Sequence, residues 1–501
     1  MSFLTLFLAF TSLNTPEQQS SQIFLQYLLD YPMGKQRMEK HLHQILLNLK
    51  YEYEEGRLSA IDLLSSVVQK FPPPVLEDRC QFFFLPLVLQ LVNDDSKKCK
   101  EAVAACISLL IQRISTESVQ SLFGYATRWS QSSGADSLPM QRASVQLLGI
   151  FVDSRPDYVK RGSNASDIIS IILDVMVKQD LGNGNGESEW ELLYHSLVCT
   201  EKLNKQMPSL ISSNHELCGA LVGFMTFPHP WVMQVSSRII SSYLSTVDPT
   251  KLLLDGSDSF VVKIPRCIHK LASNSCRQLD VEDVHFVETT STLAIKTITW
   301  AFRAMKQHPD LCYDSEYLAK SHDENGEEDE DLLTTKTRDP CLWVMARLSN
   351  IAKAKGDRRR DSIFKCFAAL CTSCDDLKHF SSFLELMIDP IDRALREATN
   401  RLGPEDQAET DPQIALPKDV LQILEDTCGT EPFIKAYAEV NRKVREKRDQ
   451  RKQEMASEAV HNPAAAAQRK IKKQLREKER KKRRVDDRKS MRGSFKKRRH
   501  S

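Results

Sequence analysis

The sequence predicts an all-helical fold, a solenoid of HEAT- or armadillo-type helix pairs followed by a basic helical tail. The 501 residues include only 17 glycines and 21 prolines, whereas an all-β chain of this length needs many turns rich in both. Amphipathic segments with apolar residues at helical spacing follow one another from Gln18 to about Asp310. A chain this long exceeds one compact core, but stacked helix pairs grow in one direction without that limit.

Residues 82–114 are the clearest predicted helix pair. Residues 93–96 (NDDS) interrupt the helical pattern, and their short polar side chains suit the start of a second helix. In the first helix, the apolar residues at helical spacing are Phe84, Leu85, Leu87, Val88, Leu91 and Val92. In the second, the residues expected to face inward are Ala102, Val103, Cys106, Leu109 and Leu110. The pattern predicts a helical hairpin with a tight polar turn.

Similar second helices recur along the chain at residues 141–152 and 231–244. Ala102 and Ala143 lie 41 residues apart, and Ser237 lies 94 residues after Ala143, which corresponds to two repeats of 47 residues. This spacing is typical of HEAT and armadillo repeats, in which one pair cannot bury its apolar stripe but a stack of pairs can.

We divide the chain into five parts. An N-terminal segment of uncertain nature (1–16) is followed by HEAT-like repeats (17–310), an acidic loop region (311–340), further helical repeats (341–430) and a basic helical tail (431–501). Seven of the nine residues 323–331 are Asp or Glu. So many charges of the same sign cannot pack into a core, and we therefore expect a solvated insertion. Residues 182–186 and 403–417 are also expected to be loops.

Neither a signal peptide nor a membrane span is expected. Residues 4–10 form a short apolar run, but no Lys or Arg precedes Lys35, so the positive region of a signal peptide is missing. A buried first helix is favoured, and no later run approaches the roughly 20 apolar residues of a membrane span.

The 13 cysteines are odd in number and irregularly spaced, unlike a disulfide framework. Cys99, Cys106, Cys199 and Cys218 lie within helical patterns, where we expect reduced thiols in the core. Cys371 and Cys374 form a single C-x-x-C with His379 nearby, but zinc needs four ligands and no second pair stands at suitable spacing. The glycines at 182–186 lack the features of a phosphate loop. We therefore predict no metal, no cofactor and no enzymatic activity.

The formal net charge of +2 hides an acidic body and a basic tail. Residues 441–501 hold 25 Lys and Arg against 8 Asp and Glu, whereas residues 1–440 carry a net −15. Clustered cations bind a phosphate backbone by releasing counterions, and short basic runs also serve as nuclear import signals. Aromatic residues are nearly absent from this part, so base stacking is not expected. The expected contact is with phosphates or with an acidic groove of a protein. The candidate nucleic-acid-binding or nuclear-targeting residues are Lys472, Lys473, Arg476, Arg480, Lys481, Lys482, Arg483, Arg484, Lys496, Lys497, Arg498 and Arg499.

Several stretches resemble the C-terminal HEAT-repeat region of the family of small-subunit processome component 20, also called down-regulated in metastasis. The resemblance is carried by residues 84–89 (FLPLVL), 93–100 (NDDSKKCK) and 227–232 (FPHPWV), with the closing Lys- and Arg-rich helix, and it extends over essentially the whole chain. It implies a nucleolar scaffold of the pre-ribosome that contacts pre-rRNA, small nucleolar RNA and other processome proteins, with no membrane and no small-molecule substrate.

The same resemblance implies a family of chains several times longer than this one. The sequence is therefore expected to be a fragment, a short isoform or a truncated gene model, with residues 1–15 as a substitute start. The alternative is a nuclear transport or regulatory HEAT-repeat scaffold, in which the helical body binds protein cargo and the tail is dispensable.

Overall fold

The computed structural model describes most of the chain, and within that part no β-strand occurs. The described residues are 16–31, 34–133, 137–180, 190–253, 259–280, 287–312, 339–354, 357–373, 380–402, 412–461, 464, 467–472, 474–479 and 481–482. The apolar run at 4–10, the glycine-rich segment at 182–186 and the acidic segment at 323–331 lie outside them.

Two compact units divide between Leu370 and Cys371. The first unit opens with α1 (Pro16–Asp30), α2 (Lys35–Leu47), α3 (Glu54–Lys70), α4 (Pro73–Asn93), α5 (Lys97–Arg113), α6 (Thr116–Ser130) and α7 (Ser137–Ser154). It continues with α8 (Pro156–Val159), α9 (Asn164–Asp180), α10 (Trp190–Gln206), α11 (Pro208–Ser212), α12 (His215–Phe224) and α13 (Pro230–Leu244). Next come α14 (Phe260–Lys263), α15 (Cys267–Leu279), α16 (Val287–Gln307), α17 (Pro340–Lys353) and α18 (Asp357–Thr372), whose last two residues fall in the second unit.

The helices of the first unit form two rows. Helices α3, α5, α7, α10, α13 and α16, which we call the B helices, pack each on the next. Helices α4, α6, α9, α12 and α15, the A helices, each pack on the B helix that follows them in sequence. Each A helix also contacts the next A helix. This two-row stack confirms the predicted all-helical repeat architecture.

The α4–α5 hairpin shows how the sequence makes one repeat. Helix α4 ends at Asn93, and α5 begins after Ser96, whose Oγ accepts a hydrogen bond from the Cys99 amide at 3.3 Å. The predicted polar turn is therefore confirmed. Helix α4 begins at Pro73, nine residues earlier than predicted, because proline at the first helical position needs no hydrogen-bond partner for its nitrogen.

Burial within this hairpin follows most of the predicted pattern. In α5, Val103, Cys106 and Leu110 are buried, whereas Ala102 and Leu109 are half-buried. In α4, Leu85 shares the apolar spacing but its side chain is 40% exposed. The next apolar residues, Leu87 and Val88, are turned toward the other helices instead.

Side chains from later helices reach back to backbone carbonyls about one repeat earlier, and we call these hydrogen bonds the joint ties. Each satisfies a carbonyl at or near a helix end that has no partner within its own helix, or that accepts a second bond. The joint ties run from Arg113 to Val68, from Arg155 to Ile111 and Ile114, from Lys202 to Gly149, from Asn274 to Val222, from Gln278 to Met225 and from Trp300 to Val247.

The second unit contains α19 (Leu384–Leu402), α20 (Pro412–Cys428) and α21 (Thr430–His461), each packed on the other two. The loop predicted for 403–417 is wrong at its described end, because residues 412–417 belong to α20. Pro412 starts that helix, and Pro417 lies inside it. Buried Ile414, Val420 and Leu424 supply packing that offsets the backbone hydrogen bond lost at Pro417.

The cysteine prediction is confirmed at the four positions named from the sequence. Cys99, Cys106, Cys199 and Cys218 are buried and none forms a disulfide. Burial raises the pKa of Cys106 to about 11 and those of Cys199 and Cys218 to about 12, so these thiols stay protonated. None of the helices in the described ranges combines the length and apolar character needed to cross a membrane.

Candidate nucleic-acid interface

The basic tail begins inside a packed helix. Gly429, with a φ of 88°, takes the left-handed conformation that lets α21 start directly after α20 ends. One turn apart on α21, Ala436 and Val440 are buried. The sequence offered hardly any apolar stripe after Phe433, yet these two side chains give the first turns of α21 a buried face.

Polar contacts fix the same turns to α19. The Tyr437 hydroxyl donates a hydrogen bond to Asp392 at 2.8 Å, and burial together with this bond raises the pKa of Tyr437. Arg396 on α19 pairs with Asp392 and also donates to the Asn441 side chain, both at 2.6 Å. The base of the tail is therefore anchored before its cationic part begins.

Beyond Val444, α21 extends into solvent. All residues from 445 to 457 are exposed, and the helix continues to His461, so this part is roughly 25 Å long at 1.5 Å per residue. Met455 and Val460 are 62% and 78% exposed, and Ile471 and Leu475, further along, are 57% and 56% exposed. Apolar side chains this exposed do not hold the tail onto a core.

Cations cluster along one side of the exposed part of α21. Arg445, Arg448 and Lys452 stand three and then four positions apart, which places them on one helical face. Glu446 and Asp449 lie to one side of this face and pair with Arg442 and Lys452. These cations are part of the charge surplus of the tail but are not among the twelve predicted residues, although their spacing identifies the face.

The structure describes four of the twelve predicted residues. Lys472, Arg476, Lys481 and Lys482 are helical and exposed. The other eight, Lys473, Arg480, Arg483, Arg484, Lys496, Lys497, Arg498 and Arg499, lie outside the described residues and stay predictions. The four described side chains are available to a partner but do not form a closed site.

Of the single C-x-x-C, the structure describes the first cysteine. Cys371 is buried and its thiol hydrogen-bonds the side chain of Cys428, a bond that lowers the pKa of Cys371 to about 7. Cys374 and His379 lie outside the described residues. Within the described ranges, no three His, Cys, Asp or Glu side chains stand close enough together to hold a metal ion.

The fold and the exposed cationic helix define a class of protein, the all-helical repeat solenoids, here with a basic helical tail. A family model described as small subunit processome component 20 homolog, C-terminal, matches residues 215–487, more than half of the chain. The chain belongs to this family, as the resemblance implied.

Two curated relatives carry the name U3 small nucleolar RNA-associated protein 20. The protein of Saccharomyces cerevisiae is 23% identical over 477 residues, which cover 93% of this chain and 18% of that protein. The protein of Schizosaccharomyces pombe is 27% identical over 233 residues, covering 46% of this chain and 9% of that protein. The chain therefore spans less than a fifth of the length of these relatives.

Solved structures with related helix arrangements include karyopherins. Kap95p bound to RanGDP aligns with 87% of this chain and 53% of its own, at 15% identity and a TM-score of 0.40. Kap121p bound to RanGTP aligns with 88% of this chain and 43% of its own, at 11% identity and a TM-score of 0.39.

Proposed function

We propose that this chain is a non-catalytic scaffold of the small-subunit processome that supports small-subunit rRNA processing in the nucleolus. The body binds other processome proteins, and the basic tail binds the phosphate backbone of pre-rRNA or small nucleolar RNA. Membership of the processome family and the printed names of the two yeast relatives support this assignment.

The exposed cationic helix is the observation that carries the RNA role. Every residue from 445 to 457 is exposed, and so are Lys472, Arg476, Lys481 and Lys482 further along the tail. The cations of the tail can therefore approach a phosphate backbone without first leaving a packed surface. Such binding neutralises phosphates and releases counterions, and it is therefore sensitive to salt and tolerant of sequence.

The test compares two four-residue variants of the full chain. The tail variant replaces Lys472, Arg476, Lys481 and Lys482 with Gln. The control variant replaces four exposed, ion-paired lysines of the body, Lys35, Lys97, Lys98 and Lys251, with Gln. Binding of a single-stranded RNA is measured by fluorescence anisotropy over a series of salt concentrations, from about 50 to about 300 mM.

We expect the tail variant to bind more weakly and to flatten the plot of log K against log salt concentration by up to roughly 3, at about 0.7 for each lost phosphate contact. The control variant keeps the slope of the unaltered chain. An unchanged slope in the tail variant would refute the RNA role of these four residues.

The alternative function, a scaffold for protein cargo, is favoured by a groove between α6 and α9. This groove has a volume of about 600 Å³ and is lined mainly by polar side chains, including the carboxylates of Asp167 and Asp174. Such a lining suits a basic peptide.

The two functions are separated by a chain that ends at Val444. An earlier end near Thr430 would remove Ala436 and Val440 and uncover the faces of α19 and α20 that they cover. If the full chain enters nucleoli and sediments with pre-ribosomal RNA but the chain ending at Val444 does not, the tail is the anchor. If both stay with transport proteins, the cargo function replaces the proposal.

A further inference from the structure

The exposed part of α21 carries four cations on one side. Arg445, Arg448 and Lys452 share a helical face, and Arg451 lies beside them, three positions after Arg448. At about 3.6 residues per turn, all four fall within about a third of the helix circumference, and no Asp or Glu of residues 445–457 lies in that third. We call these four residues the cationic face. A ligand that approaches α21 from this side meets positive charge and no carboxylate.

The three arginines of the cationic face have no carboxylate partner. Lys452 pairs with Asp449 at 3.2 Å, whereas Arg445, Arg448 and Arg451 form no ion pair with any residue that the structure describes. Arg448 stands four positions before Lys452, and like charges at that spacing destabilise a helix. An anion bound along the cationic face would relieve this repulsion, so the charges are available to a ligand.

The cationic face is presented in a fixed arrangement, because α21 is anchored at its base. Tyr437 and Asn441 are hydrogen-bonded to α19, and Lys443 pairs there with Glu385. From residue 445 to residue 452 the helix rises about 10 Å, so the cations form a straight row of that length. A helix keeps such a row straight, and a ligand has to match it in shape.

The composition of this stretch favours nucleic acid over an acidic protein as the ligand. Interfaces between proteins have an apolar core from which charged residues are depleted, whereas interfaces with nucleic acid are more polar and positively charged. Between residues 445 and 457, Met455 is the one large apolar side chain. The cationic face therefore offers several contacts to phosphates, but a protein partner would find little apolar surface to bury.

The lack of aromatic side chains favours a duplex over a single strand. Proteins that bind single strands stack the bases on aromatic rings, which offsets the freedom that a flexible strand loses when it is ordered. No Phe, Trp or Tyr occurs from residue 438 to residue 461. A duplex already holds its phosphates at fixed positions, and duplex RNA is recognised by its shape and by contacts to phosphates and 2′-hydroxyls. The straight row of cations suits such a ligand.

We infer that the cationic face of α21 binds the phosphates of double-stranded RNA. Its arginines donate paired hydrogen bonds to phosphate oxygens, which a guanidinium can do and an ammonium cannot. The inference rests on the proposed RNA-binding function of the tail, and it adds the form of the RNA and the residues that bind it. Lys472, Arg476, Lys481 and Lys482, which lie beyond α21, remain the contacts examined with a single strand.

The experiment compares two RNA ligands of the full chain. One is a duplex of about 20 base pairs, longer than the roughly 16 that a duplex-binding domain spans, and the other is one strand of that duplex, chosen so that it cannot pair with itself. The face variant replaces Arg445, Arg448 and Arg451 with Gln. The control variant replaces Lys35, Lys97 and Lys98 of the body with Gln and changes the net charge by the same amount. Fluorescence anisotropy at a series of salt concentrations gives the affinities.

We expect the unaltered chain to bind the duplex more tightly than the single strand. The face variant should bind the duplex about tenfold or more weakly at about 100 mM salt and flatten the plot of log K against log salt concentration by up to roughly 3, at about 0.9 for each lost phosphate contact. Its affinity for the single strand should fall by less than its affinity for the duplex. The control variant should keep both affinities, and Lys at the three arginine positions, which preserves the charge, should keep the slope.

A proline within the row tests whether the alignment of the cations matters. Gln450 lies between Arg448 and Arg451 in sequence but on the opposite side of α21. Gln450→Pro kinks or breaks the helix there without changing its charge, so it should lower the affinity for the duplex severalfold and leave that for the single strand unchanged. Gln450→Ala, which keeps the helix, is the control and should alter neither affinity. Circular dichroism melting shows whether each variant keeps the fold of the body.

Three results would overturn the inference and leave the proposed function of the tail intact. They are equal weakening of both ligands in the face variant, no preference of the unaltered chain for the duplex, and an unchanged affinity of Gln450→Pro for the duplex. Unchanged binding of both ligands by the face variant, together with loss of an acidic protein from its complexes, would assign the cationic face to a protein partner. Binding of neither ligand by the unaltered chain would contradict the proposed function as well.

Discussion

Asp94 is a buried carboxylate that ties α3 to the turn between α4 and α5, and its replacement by asparagine should weaken this repeat. Its oxygens accept hydrogen bonds from Nε and Nη2 of Arg57, both at 2.9 Å, and from the Ser96 amide at 2.8 Å. Gln90 on α4 donates a further hydrogen bond. The Asp94 side chain has no exposed surface, and that of Arg57 is 14% exposed.

The expected loss of stability follows from the hydrogen bonds that the side chain of the Asp94→Asn variant could still accept. Breaking a buried ion pair by removing one partner typically costs about 3–5 kcal/mol. The amide of the variant keeps one oxygen, but its NH₂ group faces the donors of Arg57, which loses its paired hydrogen bond. Because Arg57 keeps some access to water, we expect a reduction of about 2–3 kcal/mol in the free energy of opening this repeat.

Amide hydrogen exchange in α3 and α5 is the appropriate assay, because stacked repeats open locally and a single melting temperature averages over them. Asp95→Asn, at the exposed neighbour in the same turn, is the control and should change the free energy of opening by less than about 0.5 kcal/mol. Equal effects of the two substitutions would refute the reasoning.

The pH dependence supplies a second check. Burial alone would raise the pKa of Asp94, but hydrogen bonds from Arg57, Ser96 and Gln90 outweigh it and lower the pKa. The ionised carboxylate therefore stabilises the fold fully above its unfolded pKa near 3.8, and this contribution is lost as the pH falls through the lower folded value. The free energy of opening should therefore differ less between the unaltered chain and Asp94→Asn once the pH falls below about 4.

Two further predictions concern the core thiols and the base of the tail. Cys199, whose pKa burial raises to about 12, should resist iodoacetamide in the native chain and react only after denaturation. Among the cysteines that the structure describes, the half-buried Cys428 should react before the buried ones, and labelled peptides identified by mass spectrometry show the order. Tyr437→Phe removes the hydrogen bond to Asp392 and should lower the stability of the second unit by about 1 kcal/mol. Tyr53→Phe, at a ring that is 61% exposed, is the control and should not alter stability. Chemical denaturation measures the stability of both variants.

The repeat architecture was predictable because helix breaks and apolar spacing are local properties. Residues 93–96 predict the turn of the α4–α5 hairpin, and the structure places it there. The same pattern could not decide the exposure of Leu85, because the run at 84–89 holds more apolar residues than one helix face can bury. Pro417 misled for a related reason, since a proline marks a helix end only where packing does not compensate.

The surplus of positive charge in the tail was also predictable from composition, whereas the ring contacts of Trp190 with His229 and Trp231 were not identified. Trp190 and Trp231 are separated by 41 residues, the same interval as Ala102 and Ala143. Equivalent positions in neighbouring repeats lie close together, so this 41-residue interval could have predicted that the two tryptophans meet. Nothing in the sequence alone shows that His229 lies flat against Trp190, because that depends on the turn before α13.

The joint ties of the first unit have a mechanical consequence. Repeats joined one after another form links in series, so a force along the row acts on every joint equally and opens the weakest one first. Among the residues that the structure describes, the joint between α7 and α10 holds two ion pairs and a hydrogen bond from Lys202 to Gly149, whereas one ion pair, Arg238 with Glu201, joins α10 and α13. Under tension, we expect the body to lengthen in steps of one repeat and to close again in the same register, because each tie has a fixed carbonyl to return to.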